Sequence, residues 1–498
     1  MAGGEARHVL VVPWSGEGHV IGMLRLALLL AAQKGLLISF GYPARAHALA
    51  LKRGKLPNFP PSLRVHVVED GLPAPDHEPP RLHHLRDSSL MIVQSLEALL
   101  QQHVAPSSET ALSLLAANCC DAALDGANEI NSSPSWPPVC CIISDTFLAE
   151  TQALANSFSI PRIHFWTGNA TVYNIFLHVP QLLAKGILLH SNGIGKVEYP
   201  LIDFIPGLPA CHVTQLPWDL IQKYEVSQPM IEFLINAFSS TKDADRILVH
   251  SVYELEKHVY DAMQAQGFRI YAIGPLFETN SESGAARNEC LDWLDRQKTA
   301  SVVYVAFGTV TGLSLLEMQS MALGLEASNQ PFLWVVPKDP LATISNSSES
   351  FWEGFIERTV SGWKGCIVAW APQKEVLKHK AVGAFISHCG WNSVLESLWG
   401  GVPIVTCCRV AEQNCNAKSV VEEWKVGIEM ERKDDGGFTT EAVRKAIVEV
   451  MGNQEVKARA LHIKQVVRHA VGAHGTSHSN LTSLIDHLLH LPVPRQVI

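Results

Sequence analysis

Residues 370–413 read WAPQKEVLKHKAVGAFISHCGWNSVLESLWGGVPIVTCCRVAEQ, and this stretch decides the fold. Residues 383–387 form a short apolar run of the kind that a buried parallel strand shows. The polar turn 388–390 leads into a predicted helix at 391–399, which a pair of glycines ends before the next strand at 403–406. A strand that turns directly into a helix leaves unpaired amide N–H groups, and these favour a bound phosphate.

The polar side chains at this turn suit a sugar nucleotide. His388 can donate a hydrogen bond to a phosphate oxygen, and Asn392 and Ser393 open the helix beside it. Glu396 follows on the same helical face, where it can accept hydrogen bonds from ribose hydroxyls. Trp370 offers a flat surface for a base, and such stacking contributes roughly 1–3 kcal/mol per base. The same residues also fit a buried strand–helix–strand unit whose polar groups are satisfied within the core.

The stretch resembles the signature of the plant secondary-product glycosyltransferases, the family 1 enzymes that use uridine diphosphate (UDP) sugars. It has the family's length of 44 residues, and WAPQ, HCGWNS, the later glutamate, GVP and a closing acid–glutamine pair stand in register. Two positions depart from the common family sequence, since Cys408 replaces a usual proline and Glu412 a commoner aspartate. Glu412 keeps the carboxylate, so the resemblance implies that donor binding and chemistry are intact.

The resemblance also implies a role for each matching residue. Trp370 would stack on uracil, Glu396 would bind the ribose, and the turn and helix opening would hold the diphosphate. Three residues would contact the sugar, namely Trp391, Glu412 and Gln413, while Thr167 in FWTGN is expected to reach its outer hydroxyls. Glutamine at the last position goes with glucose in this family, which implies UDP-glucose as the donor. The residues implied to bind the UDP-sugar are Thr167, Thr309, Trp370, Gln373, His388, Trp391, Asn392, Ser393, Glu396, Glu412 and Gln413.

His19 and Asp145 are the candidate catalytic pair. His19 stands in a loop between a predicted strand at 8–13 and a predicted helix at 20–33, and Asp145 ends a predicted strand at 139–144. An imidazole whose pKa lies near the operating pH can take a proton, and a carboxylate can fix its tautomer. From the residues alone, His19 could equally cap its loop and Asp145 the following helix. Their GHV and ISDTF contexts resemble the family's catalytic dyad, which implies His19 as the base.

Strands and helices alternate through both halves of the chain. This pattern predicts an α/β fold with two facing Rossmann-like domains and a cleft between them, the architecture that the family calls GT-B. We expect an N-terminal acceptor-binding domain at 1–272 and a C-terminal UDP-sugar-binding domain at 273–477. The polar segment 277–288 is the expected linker. A last helix at about 478–498 is expected to pack back on the first domain.

Composition limits the compartment and the partners. The 498 residues can bury two cores, and 47% hydrophobic with 17% charged residues indicates a globular chain. A net charge of −9 without a basic cluster argues against nucleic acid. The 11 cysteines include no C-x-x-C pair, and no apolar run reaches about 20 residues, so we expect reduced thiols and no membrane insertion. A monomeric cytoplasmic protein is the expectation.

The expected reaction is inverting transfer of glucose from UDP-glucose to a hydroxyl or carboxyl of a small lipophilic acceptor, giving a β-glycoside. No metal or other cofactor is expected, because the D-x-D pair at 243–245 is interpreted as a solvated turn. Trp14, Met91 and Trp166 could line an acceptor pocket or belong to the core. The residues leave the acceptor and the glycosylated position open.

Two alternatives remain at this stage. The GxGxxxG pattern at 16–22 could belong to an NAD(P)-dependent oxidoreductase, although it lacks the sixth-position glycine and no acidic residue ends the following strand. A non-catalytic nucleotide-sugar-binding protein is the other alternative, and the presence of both His19 and Asp145 argues against it.

Overall fold

The computed structural model describes residues 6–54, 56–73, 82–104, 136–188, 201–217, 220, 228–277, 289–308, 312–336, 349–362, 364–433 and 436–494. Within these ranges the chain forms two parallel sheets, one in each half, packed against helices. Thr309 and nearly all of the expected linker 277–288 lie outside the described residues.

The first sheet has seven described strands in the order β3-β2-β1-β4-β5-β6-β7, and all neighbouring strands are parallel. The strand order reverses between β1 and β4, so the carboxyl ends of these two strands flank the crevice where a ligand belongs. The strands are β1 Arg7–Val12, β2 Leu36–Pro43, β3 Leu63–Val68, β4 Val139–Asp145, β5 Arg162–Trp166, β6 Arg246–Val249 and β7 Ile270–Ala272.

The second sheet repeats this order with six described strands, β10-β9-β8-β11-β12-β13, again all parallel. In this sheet the strand order reverses between β8 and β11. The predicted fold class is therefore confirmed. The strands are β8 Val302–Ala306, β9 Phe332–Val335, β10 Gly365–Val368, β11 Val382–Ser387, β12 Ile404–Thr406 and β13 Gly427–Glu429.

Helices connect the strands of both sheets. In the first half they are α1 Glu17–Ala31, α2 Ala44–Lys52, α3 Leu82–Val104, α4 Thr151–Ser157, α5 Ala170–Leu177, α6 Val179–Ala184, α7 Gln228–Ser239 and α8 Lys257–Ala265. In the second half they are α9 Glu289–Asp295, α10 Leu315–Ser328, α11 Glu349–Thr359, α12 Gln373–Lys378, α13 Trp391–Gly400, α14 Gln413–Lys418, α15 Thr440–Gly452, α16 Gln454–Val471 and α17 Thr476–His490. No described helix combines the length and the apolar character that crossing a membrane requires.

The stretch that decides the fold forms β11, α13 and β12 as predicted. Every residue of β11 is buried, as a strand covered on both faces requires. Helix α13 ends at Gly401, whose φ of 74° lies in the left-handed region that glycine adopts without strain. A short-range sequence signal therefore sets the C-terminal boundary of this helix.

The last helix, α17, returns to the first sheet. Its Leu484 and Leu488 are buried in the core that contains Val9 of β1. The Ser477 hydroxyl donates a hydrogen bond to the carbonyl of Gly274, at 2.6 Å. The C-terminal segment thereby ties the end of the second half to the body of the first.

Buried hydrogen bonds also join the two halves directly. The Trp424 indole N–H donates to the Leu255 carbonyl at 3.1 Å. The Asn169 amide donates to the Asn416 side-chain oxygen at 2.7 Å, and both amides are buried. The contact between the two halves therefore includes buried polar groups whose hydrogen bonds form only when the halves are together.

Several elements differ from the sequence-based expectations, and helices α8, α11, α12 and α16 are among those that were not predicted. Strands β10 and β13 were not predicted, because each is only three or four residues long and neither carries a clear apolar pattern. Helix α2 was not predicted either, and none of its residues is buried. Helix α1 begins at Glu17, so His19 lies in the first helical turn rather than in the preceding loop.

Candidate active site

The candidate site lies where the strand order of each sheet reverses. His19 follows β1 and Asp145 ends β4, the two strands that flank the first reversal. His388 follows β11, and Gly308 follows β8 at the second reversal. A Cβ on Gly308, whose φ is 71°, would lie 2.9 Å from His388 Nε2, so the close approach of the two turns requires glycine.

His19 and Asp145 form the predicted pair. The distance from His19 Nδ1 to Asp145 Oδ2 is 2.7 Å, and Asp145 is fully buried while 20% of the His19 side chain is exposed. The other carboxylate oxygen accepts a hydrogen bond from the backbone N–H of Phe147 at 3.0 Å, which fixes the orientation of the carboxylate. A proton on Nδ1 leaves the lone pair of His19 on Nε2, the tautomer that a general base needs.

Charges on both sides of the site act on His19. Burial lowers the pKa of His19, but the charge and hydrogen bond of Asp145 and the charge of Glu412 outweigh it and leave the pKa above its ordinary value. Burial in turn raises the pKa of Glu412, against the opposing charge of His19. The two groups come from different halves, so the imidazolium form of His19 is stabilised across the cleft.

Thr167 lies against the His19–Asp145 pair. Its hydroxyl is 3.1 Å from His19 Nδ1, and the residue is buried. Because Asp145 takes the Nδ1 proton at shorter distance, the Thr167 oxygen acts as a second acceptor that holds the imidazole ring. The Thr167 O–H can still donate a hydrogen bond, so its expected contact with the outer hydroxyls of the sugar stays a prediction.

Aromatic side chains surround the imidazole. The rings of Trp14 and Phe147 lie 5.1 Å and 5.4 Å from His19 by centroid, and Phe233 lies 5.3 Å from Phe147. Trp166 packs edge-on to His19 at 6.4 Å but is buried in the core. Of the three residues considered for an apolar pocket, Trp14 lies beside His19, Trp166 is in the core, and Met91 on α3 is 41% exposed.

The N-terminus of α13 presents the predicted anion-binding turn. Gly390 caps the helix without a side-chain hydrogen bond, so no cap side chain covers the first amide N–H groups. Burial lowers the pKa of His388 to about 4, which keeps its ring neutral at pH 7. The Asn392 amide donates to the carbonyl of Gly18 at 3.3 Å and thus connects this helix to the turn that carries His19.

Glu396 is the centre of a polar network. The Gln373 amide donates to Glu396 Oε2 at 3.0 Å and to the Ser393 hydroxyl at 2.8 Å. The Tyr304 hydroxyl donates to Gln373 Oε1 at 3.3 Å, and Arg25 Nη2 donates to Glu396 Oε1 at 3.2 Å. The three predicted residues Gln373, Ser393 and Glu396 are therefore in direct contact.

The two tryptophans of the signature differ in their surroundings. Trp370, between β10 and α12, is 52% exposed, which makes its ring available to a base. Trp391 is only 4% exposed, its indole N–H donates to the His250 carbonyl at 2.7 Å, and its ring packs near Trp424. The Trp391 side chain is therefore held by contacts within the protein, and the expected contact of this residue with the sugar stays a prediction.

Gln413 holds the loop that precedes it. Its buried amide oxygen accepts hydrogen bonds from the backbone N–H groups of Arg409 and Val410, at 2.7 Å and 3.1 Å. Only its NH₂ group is left to donate to a sugar hydroxyl. The preceding Glu412 is held by the Asn416 amide at 3.4 Å.

Several contributors to the site were not identified from the sequence. Phe147 stands within the quoted ISDTF context and could have been found there, but Phe233 lies on α7 and carries no local signal. Asn416 is fully buried and bonds to both halves. Arg25 lies within an otherwise apolar segment of α1 and forms an ion pair with Glu396. Long-range contacts place Asn416 and Arg25, and no local spacing encodes them.

The acidic pair at 243–245 is remote from the site. It precedes β6 and so lies at the amino edge of the first sheet, opposite the carboxyl ends. Asp245 lies 3.4 Å from Arg269 and 2.9 Å from His487, so the turn is ion-paired rather than simply solvated. Within the described ranges, no three His, Cys, Asp or Glu side chains cluster in a way that could hold a metal ion.

Comparisons with known proteins agree with this geometry. A family model described as UDP-glucoronosyl and UDP-glucosyl transferase matches residues 285–470. The chain is 31% identical to linamarin synthase 1 of Manihot esculenta over 97% of both proteins, and 29% identical to (R)-mandelonitrile beta-glucosyltransferase of Prunus dulcis over 99% of both. A solved UDP-glucosyltransferase from Polygonum tinctorium, capable of glucosylating indoxyl, is 26% identical with a TM-score of 0.76, covering 97% of this chain and 99% of that one.

Proposed function

The chain belongs to family 1 of the plant UDP-dependent glycosyltransferases, and we propose that it transfers glucose from UDP-glucose to a hydroxyl group of a small lipophilic acceptor. The observation that carries this proposal is the His19–Asp145 pair, 2.7 Å apart, joined through Gly18 and Asn392 to the open helix N-terminus of α13. A base and an anion site thereby face one another from the two halves. Membership in this family removes the oxidoreductase alternative.

His19 acts as the base in this proposal. The acceptor oxygen forms a bond to the anomeric carbon while its proton passes to His19 Nε2. The bond from the anomeric carbon to the β-phosphate oxygen breaks on the opposite side, and UDP leaves. Displacement from the far side inverts the anomeric centre, so an α-linked donor gives a β-glycoside. Asp145 and Glu412 stabilise the imidazolium that forms.

The departing diphosphate gains negative charge as this bond breaks. The amide N–H groups at the start of α13 and the side chains of Asn392 and Ser393 can donate to it without reorganisation. His388 contributes as a neutral donor, because its lowered pKa excludes the imidazolium form at pH 7. Thr309 is proposed to add a further donor. Fixed donors of this kind suit the chemistry without a metal ion.

The acceptor is proposed to lie against the aromatic rings beside His19. Trp14, Phe147 and Phe233 form a continuous aromatic wall in the first half. Aromatic or compact apolar acceptors would bury surface against it, with the reacting hydroxyl directed at Nε2. The acceptors named for two relatives, mandelonitrile and indoxyl, are small molecules of this kind.

The proposal extends to the roles of the two domains, the nucleoside contacts, the compartment and the oligomeric state. We assign acceptor binding to residues 1–272 and UDP-sugar binding to residues 273–477. Trp370 is proposed to stack on uracil, and Glu396 to bind the ribose. The described cysteines form no disulfides with one another, which supports a reducing compartment such as the cytoplasm. Action as a monomer stays a prediction.

The test is a transfer assay with the purified chain and UDP-glucose. The acceptor panel contains mandelonitrile, indoxyl, a simple phenol, an aliphatic alcohol and a carboxylic acid, each measured with and without EDTA. We expect a β-linked glucoside, identified by the anomeric proton coupling in NMR, and no effect of EDTA.

A variant pair tests the base itself. His19→Ala is expected to retain UDP-glucose binding by calorimetry and to lose transfer by about 10²–10⁴-fold. The control is His258→Ala, which removes an exposed histidine of α8. Near-native turnover of His19→Ala would show that another group takes the proton.

A further inference from the structure

Arg25 joins the helix of the base to the carboxylate proposed for the ribose. It lies on α1, the helix whose first turn carries His19. Its Nη2 donates to Glu396 Oε1 at 3.2 Å across 371 positions of sequence. The side chains are 17% and 9% exposed, so solvent screens this ion pair far less than it would a surface pair.

The hydrogen bonds of Glu396 leave a particular acceptor pattern. A carboxylate offers about four lone-pair positions, two on each oxygen. Arg25 occupies one on Oε1 and Gln373 occupies one on Oε2. One acceptor position therefore stays on each oxygen, which is the pattern that two neighbouring hydroxyls of a ribose would use.

Stability alone does not explain the position of Arg25. Its second amino group, Nη1, is buried without a hydrogen-bond partner among the described residues. An unsatisfied buried N–H costs free energy that a purely structural ion pair would avoid. The guanidinium also lies 5.5 Å over the ring of Phe277, which limits its freedom to turn away from Glu396.

We propose that Arg25 is a positioning residue for the donor ribose. It holds Glu396 in the orientation that accepts both ribose hydroxyls. This inference rests on the proposed function, because it takes a UDP-sugar as the ligand. It adds a residue of the acceptor-binding half to donor recognition.

The experiment compares two donors that differ by one ribose hydroxyl. Kinetic constants are measured for wild type, Arg25→Gln and Arg25→Lys with UDP-glucose and with its 2′-deoxyuridine analogue. Arg53→Gln is the matched control, because it removes an exposed ion pair from Arg53 to Glu17 on the same helix α1. Thermal melting confirms that each variant is folded.

Arg25→Gln is expected to raise KM for UDP-glucose about tenfold, the change that corresponds to losing one charge-assisted hydrogen bond, with kcat altered by less than about threefold. With the 2′-deoxy donor the same substitution should raise KM by a smaller factor, about threefold, because one of the two hydroxyls that Glu396 is positioned to accept is absent. Arg25→Lys should recover most of the affinity for UDP-glucose. An equal rise in KM for both donors, or an unchanged KM for UDP-glucose, would overturn the proposal.

Calorimetry separates this inference from the proposed function. UDP and 2′-deoxy-UDP differ at the ribose in the same way as the two donors, but they bind without turnover. Their affinities therefore test Arg25 even if no acceptor is glucosylated. If Arg25→Gln does not fold, Arg25→Met serves instead, because it keeps an aliphatic side chain against Phe277 and removes the charge. A loss of UDP affinity that is larger than the loss for 2′-deoxy-UDP supports the assignment, and equal losses refute it.

Discussion

Replacing Asp145 by asparagine tests the catalytic pair most sharply. The side-chain oxygen of asparagine can still accept from the Phe147 N–H, so the fold around the residue is retained. The amide NH₂ then faces His19 Nδ1, which must become the acceptor. The proton of the neutral ring therefore moves to Nε2, and the lone pair no longer points at the acceptor substrate.

The expected loss can be estimated from the geometry. Unit charges about 4 Å apart attract by about 4 kcal/mol at an effective dielectric constant of about 20. If roughly half of this attraction is felt in the transition state, the loss is about 2 kcal/mol, or about 30-fold in kcat. The inverted tautomer adds to this loss, so we expect a decrease between about 30-fold and 10³-fold.

The pH profile gives a second, independent readout. The base must be neutral to act, so the rate falls as the pH drops through the pKa of His19. In wild type this acidic limb should lie above the ordinary histidine pKa, because Asp145 and Glu412 outweigh burial. In Asp145→Asn the carboxylate no longer raises the pKa of His19, whereas burial still lowers it. The acidic limb should therefore move to lower pH.

The assay measures initial rates of UDP release between about pH 5 and 9, at saturating UDP-glucose and acceptor. The matched control is Asp295→Asn, since Asp295 bonds to His379 at 3.2 Å in a second histidine–aspartate pair outside the site. That substitution should leave rate and profile unchanged. An Asp145→Asn enzyme within about threefold of wild type, with an unmoved acidic limb, would refute the assigned role of Asp145.

Three further predictions follow from the second half of the site. Gln413→His should lower kcat/KM for UDP-glucose about tenfold and reduce the preference of the enzyme for UDP-glucose over UDP-galactose, because the backbone N–H groups of residues 409–410 lose the amide oxygen that accepts from them. Competition between the two donors measures the preference, and an unchanged ratio of the two products would contradict the prediction. Asn416→Ala should lower the free energy of unfolding by about 2–3 kcal/mol in a denaturant titration, since buried groups of both halves lose partners, whereas the control Asn236→Ala should have little effect. His388→Gln should retain more activity than His388→Ala, because the neutral histidine acts only as a donor. Since the pKa of His388 is about 4, the pH–rate profile of each variant between pH 6 and 9 should have the same shape as that of wild type.

Much of the donor half of the site follows from a continuous stretch of sequence. The strand, turn and helix over 382–400 rest on local signals, namely a fully buried apolar run and a glycine at φ 74°. The residues that meet there, including Ser393 and Glu396, are three apart on one helix. Local spacing is enough to bring such groups together, and this is why the motif could be recognised.

The sequence by itself determined the two-sheet architecture, the family and the candidate base with its carboxylate, because apolar periodicity and motif spacing are local properties of the chain. Only the tertiary structure decided which way individual side chains point and what they contact. It assigned Trp391 to the contact between the halves, Thr167 to the imidazole of His19, and Arg25 to Glu396. These contacts join residues that lie more than a hundred positions apart, and their partners are set by the docking of two sheets rather than by any local pattern.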